Sequence, residues 1–420
     1  MQCAPQELGT VRLNIETYLA GKNQPTHPSV VVFPEMWNGA KYWLAYSPYP
    51  YGNGEEENPC LAVSNDMFFW ETPCGMVNPI AYNEETGCEE LKDPHLVYRD
   101  DLNRLEMWYL GRLAEHLGGD GTSLLLMRKY SYDGIVWSDY EVMAATQYLS
   151  PTVRWDGEKY QMWGIGYDLW DTKGTVAYQE STDGIIWTDP VLCTFGTAET
   201  GIDIWHGSVT AQNGEYHFVY IDESAKQQIY YCNSKDGILF SEAKPIIKNE
   251  GFWDYLYRPT LVFTDKAVMC LYGVVNSADQ WFLSMSHGPD IENLVGIGEE
   301  DTEYMRQLSD VPVNTQGIRY HLKETYNQVQ HYLRIELLVL VVFEMIALAI
   351  FKKCRKRAMI VVFTSANIVC SMLYVCFRLT PFDVTSGLSA IVALSLLNIG
   401  MKSVLLCVLQ FISRGKPHET

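Results

Sequence analysis

The chain is poor in basic residues, has no cysteine pair of the C-x-x-C kind, and shows no apolar run behind a basic start. Lys and Arg number 31 against 51 Asp and Glu, a formal net charge of −20 over 420 residues. Nucleic-acid binding needs clustered Lys and Arg to displace counterions, so nucleic acid is excluded as a partner. Eleven Cys in no regular framework indicate neither a zinc site nor a dense disulfide scaffold. Cys60, Cys74 and Cys88 lie close enough in sequence for one incidental disulfide, which the reading does not assign. The opening residues, MQCAPQELGTVRLNIETYLAGK, show no ordinary signal peptide.

What is present divides into two parts. From Gln330 onward ten Lys or Arg stand against four Asp or Glu, which leaves a net −26 on the first 329 residues. The acidic part carries most of the 12 Trp and 27 Tyr, as strand formers that pack between sheets.

That acidic part repeats. A polar residue, then usually Pro, then a β-branched run recur as HPSVVVF from His27, DPHLVY from Asp93, SPTVRW from Ser150, HGSVTA from His206 and RPTLVF from Arg258. An aromatic strand follows each time: KYWLAY, RLEMWYLG, KYQMWGIG, EYHFVYI and AVMCLYGV. Each unit closes on SNDMFFW, SYDGIVW, STDGIIW, SKDGILF or a degenerate SHGPDIENL. Asp133, Asp183 and Asp236 are turn residues here, beside a Gly that accepts positive φ. The markers Pro28, Pro94, Pro151, Gly207 and Pro259 are 66, 57, 56 and 52 residues apart, lengths that suit a four-stranded blade. Five ordered copies predict an all-β, five-bladed β-propeller over residues 1–303. The longer first repeat places YSPYPYGNGEEENP over the funnel mouth.

These repeats resemble the five-bladed propellers of glycoside hydrolase families 43 and 32 over about residues 25–298. The resemblance implies an Asp base in the first blade, a pKa-tuning Asp in the third and a Glu acid in the fourth. Here those positions hold His27, Ser150 and His206, so the hydrolytic carboxylate pair is missing. HPSVVVFPEMWNGAKYWLAYSPYP with ENP also resembles uncharacterised glycosidase-like propellers of bacteria, which supports a shared site on His27, Tyr49, Glu57 and Asn58.

Other groups converge on the same funnel by their place in the repeats. His206, Asp93 and Glu57 are the catalytic candidates, His206 as acid with Glu57 or Asp93 as base. His27, Tyr49, Asn58, Ser150, Asp203, Trp205 and Arg258 are the substrate-binding candidates. A polar residue heading an inner strand can instead cap backbone groups, and Trp205 can instead pack between blades. His27, His206, Asp93 and Glu57 form an N/O ligand set, but their spacing is non-local, and no metal or cofactor is assigned.

After a helical connector over 304–334 come three hydrophobic blocks, Ile335 to Phe351, Ala358 to Phe377 and Ser386 to Ile412. A span needs about 20 apolar residues, so 335–420 is expected to be a transmembrane helical region of about three spans. KKCRKR between the first two blocks points inward, which puts the propeller outside the membrane. The expected function is a membrane-anchored propeller acting on or binding a carbohydrate; the alternatives are a non-catalytic polysaccharide binder and a scaffold.

Overall fold

The computed structural model describes residues 7–113, 124–166, 174–196, 204–223 and 226–298. All belong to the first of two units, 1–324 and 325–420. The three hydrophobic blocks, the connector and Asp203 lie outside the described residues. Among the described residues no helix is long and apolar enough to cross a membrane.

Five antiparallel sheets follow one another along the chain. Their inner strands are Pro25–Trp37, Glu90–Arg99, Tyr148–Trp155, Ile204–Gln212 and Tyr255–Phe263. Each inner strand touches those of the neighbouring blades, and the first touches the last. The chain is therefore a closed five-bladed propeller. Blades 2, 3 and 5 have the expected four strands, blade 1 has three and blade 4 has six. Blade 4 gains Thr194–Phe195 from the preceding connection, and Lys244–Lys248 pairs with its third strand.

The repeated aromatic strands are the middle ones, and their Trp explain the Asp-Gly turns. Trp43, Trp108 and Trp163 are buried at 2% exposure or less. Burial of each is worth roughly 4–6 kcal/mol as an upper bound. A Cβ on Gly134 would fall 2.2 Å from Trp43, and one on Gly184 or Gly237 would fall 2.9 or 2.8 Å from Trp108 or Trp163. Each turn thus wedges onto the Trp of the blade before it. The three Asp make the turns as the spacing predicts: Asp133 accepts from the N–H of Ile135 and Val136, both at 2.8 Å, and Asp183 and Asp236 do likewise.

The N-terminal segment joins the last blade to the first. Thr10 and Leu13 donate their N–H to the carbonyls of Ile297 and Leu283, at 2.9 and 2.7 Å. Asn14–Ile15 then pairs in parallel with Phe69–Trp70 of blade 1.

Candidate functional site

The polar marker of every repeat sits on a β-bulge. Register breaks fall between Thr26 and Ser29, Lys92 and His95, Leu149 and Thr152, Ile204 and Gly207, and Tyr257 and Pro259. A bulge leaves one residue unpaired and re-aims its side chain, and Pro suits the position because it has no N–H to leave unsatisfied. His27, Asp93 and Ser150 adopt φ of 53, 53 and 49°, a left-handed conformation that His and Asp tolerate better than most residues.

The bulges bring the five side chains together from 232 residues of chain, with exposures of 2, 1, 2, 3 and 0% for His27, Asp93, Ser150, His206 and Arg258. Asp93 is the hub. Its Oδ1 accepts from Arg258 Nη1 at 2.8 Å and its Oδ2 from the Ser150 N–H at 2.9 Å. His27 Nε2 lies 3.6 Å and His206 Nδ1 3.9 Å from Oδ1. Burial pushes the Asp93 carboxyl up, but Arg258 and the two imidazoles outweigh it and hold the group ionised well below the usual carboxylate range.

Both His are kept neutral. Burial drives His206 down to about 3 and His27 well below its ordinary value, against the pull of Asp93. His206 is bracketed by Ser150 Oγ at Nδ1 and by Tyr257 Oη, 2.7 Å from Nε2. His27 Nδ1 faces Ser47 Oγ at 2.8 Å and Glu57 Oε1 at 3.2 Å. Burial raises Glu57 well above the usual carboxylate range and lowers His27, so both shifts disfavour an ion pair at this contact. His27 turns Nε2 toward Asp93, and that buried atom has no hydrogen-bond partner.

Glu57 comes from the first-blade insertion, which does lie over the ring. Tyr49, from the same insertion, is half-buried with its ring 6.4 Å from His27. Asn58 turns away: it donates to Tyr18 Oη at 3.1 Å and accepts from the Asn83 N–H at 3.0 Å, so it locks the insertion instead of facing the ring. Trp205 packs edge-on against His206, with centroids 5.0 Å apart. Sequence reasoning missed Ser47 and Tyr257, which orient the two imidazoles. Each reads as an ordinary strand residue, and only its register beside a bulge gives it away.

His27, Asp93 and His206 each offer one ligand atom, and these atoms lie within 4.8 Å of one another. Neutral imidazoles with a carboxylate suit a divalent ion such as zinc or manganese.

No family model matches the chain. It is 27% identical over 301 residues to an A type blood N-acetyl-alpha-D-galactosamine deacetylase of Flavonifractor plautii, covering 57% of this chain; the chain spans 38% of that relative's length. Its fold is similar to that of an N-acetylgalactosamine deacetylase from F. plautii, solved in complex with blood group B trisaccharide. That match has a TM-score of 0.57 and 21% identity, over 69% of this chain and 95% of the other. It is also similar to a GH43_1 enzyme from Xanthomonas citri complexed with xylotriose, with a TM-score of 0.52 and 11% identity over 69% and 94%. Residues 7–298 share the five-bladed β-propeller fold of these carbohydrate-active enzymes.

Proposed function

We propose that the propeller is a hydrolase that removes an N-acyl group from a glycan, at a divalent cation held by His27, Asp93 and His206. The observation that carries this reading is the place of His27. Glycoside hydrolysis needs two carboxyl groups flanking the scissile bond, about 5–10 Å apart. Here the two carboxyls nearest the ring centre are separated by an imidazole, with Nδ1 toward Glu57 and Nε2 toward Asp93. A sugar cannot lie between them. The same imidazole has an orphaned, buried Nε2, which a metal ion would satisfy. The similar relative named a deacetylase supports the choice of an acyl group over a glycosidic bond.

A bound cation would lower the pKa of a coordinated water and polarise the acyl oxygen. The residues of the chain do the rest. Arg258 and the Ser150 N–H keep Asp93 ionised. Ser47 and Glu57 hold the His27 ring from Nδ1, Tyr257 holds His206 from Nε2, and Ser150 Oγ would give up Nδ1 of His206 to the cation. Glu57, raised by burial, is the carboxyl placed to take up or release a proton beside His27 Nδ1. This arrangement replaces His206 as general acid, because a histidine depressed to about 3 carries no proton to donate near neutrality.

The test is metal content and affinity. Manganese or zinc titrated into the full chain should bind at one site per molecule, and Asp93→Asn should weaken it at least tenfold. Equal affinity in both proteins would overturn the reading.

The hydrophobic blocks after residue 334 support a membrane-attached form with the propeller outside. A chain ending at Tyr332 should leave the membrane fraction; retention there would contradict the attachment.

A further inference from the structure

Lys226 stands outside the ring of bulge residues, just ahead of the strand Gln228–Ser234. Its backbone has φ 51°, rarely adopted by a long side chain. Two hydrogen bonds impose it: the Lys226 N–H donates to the Asp222 carbonyl at 3.0 Å, and the Lys226 carbonyl accepts from the Leu256 N–H at 2.7 Å. Strain held in this way accompanies functional positions more often than plain surface ones.

The ammonium lies 5.9 Å from the ring centre of Trp205 and 5.4 Å from that of Tyr255. Trp205 abuts His206, and Tyr255 packs on Trp281 at 5.5 Å, which in turn packs on Tyr257 at 4.9 Å. One series of packed rings, buried at Trp281 and Tyr257 and partly exposed at Trp205 and Tyr255, therefore runs from the site out to Lys226. Lys226, Trp205 and Tyr255 are all partly exposed. Among the described residues no carboxylate lies within ion-pair distance of the Lys226 ammonium, although the charge of Glu223 acts on it. A half-buried cation flanked by rings and lacking a counter-ion is suited to an anionic ligand, because it has already lost part of its hydration.

We propose that Lys226, Trp205 and Tyr255 form a subsite for a sugar ring bearing a carboxylate, so that the glycan entering the site is acidic, with a hexuronic acid beside the N-acylated sugar. The rings take the apolar face of the sugar, and the ammonium takes its carboxylate. This rests on the proposed glycan-directed function, but its test reads binding and not turnover, so failure of acyl hydrolysis would not be mistaken for failure of the subsite.

The probes are a tetrasaccharide of alternating hexuronic acid and N-acetylhexosamine and the same molecule with its carboxyls reduced to alcohols, titrated calorimetrically into the full chain. The native probe should bind at least about fivefold more tightly than the reduced one, the scale of a partly exposed ion pair. Lys226→Met should abolish the difference by weakening only the native probe, and Lys226→Arg should keep it. Raising salt from about 20 to about 300 mM should weaken the acidic probe alone, a check on the unaltered protein should the Met variant not fold. Equal binding of the two probes, absence of binding by both, or an equal loss with both in Lys226→Met would overturn the proposal.

Discussion

Asp93 and Arg258 show what single residues contribute. Neither has measurable access to water, and Arg258 leaves Nε and Nη2 without partners. A pair so placed adds little net stability, whereas removing one partner strands the other and costs about 3–5 kcal/mol. Arg258→Met should therefore lower stability by that amount, while adding Asp93→Asn to it should restore part of the loss, as chemical denaturation of all three variants would show. If the double variant lost the sum of the single losses, the ion pair would not be the hub described. The pair was half legible in the sequence: both residues head repeats whose inner strands open at one mouth, but which carboxylate Arg258 would meet was not. Tyr257 and Ser47 went unread because a tyrosine or serine within a strand is ordinary. Asn58 was misread for the opposite reason, since a polar residue in an insertion over the mouth can serve the insertion itself.

At the scale of elements, the repeats carried the fold because radial packing reuses one solution. The polar-Pro marker survives as a bulge, and the Asp-Gly turn survives as a wedge. That the turn glycines also make room for a neighbouring tryptophan was not readable, since the contact lies about 74 to 91 residues away in sequence. Gly134 and Gly157 separate the two demands. Both have positive φ, 76 and 107°, but a Cβ on Gly134 would strike Trp43, whereas one on Gly157 meets nothing within 4 Å. Gly157→Ala should cost about 1–2 kcal/mol of backbone strain. Gly134→Ala should cost that plus about 1–3 kcal/mol of overpacking. Equal melting temperatures for the two variants would remove the wedge from the account.

The whole molecule couples the site to pH. His27, His95 and His206 are buried with depressed pKa values, the last two at about 3. In the unfolded chain each titrates near 6.5. Between those values the unfolded state binds protons that the folded state refuses, so the contribution of these three groups is full above about pH 6.5 and falls as acid is added, with Glu57, raised by burial, offsetting part of it. Each histidine contributes a slope of up to about 1.4 kcal/mol per pH unit. Asp93, depressed as well, adds its own loss below about pH 4. Thermal melts should therefore shift downward from pH 7 to pH 5, and His95→Gln, which removes one of the three groups, should shallow the shift. A melting temperature unchanged over that range would mean that the imidazoles are not buried neutral.

The proposal is that a propeller similar in fold to carbohydrate-active enzymes uses a His, Asp and His cluster, in place of a carboxylate pair, to cleave an acyl group. Its most direct test is to incubate the full chain with an N-acetylated oligosaccharide, with and without a chelator, and to measure released acetate and new reducing ends in the same sample. The account predicts acetate release that stops on chelation and returns with added divalent metal, with no increase in reducing ends. New reducing ends without acetate would contradict it and restore the glycosidase reading.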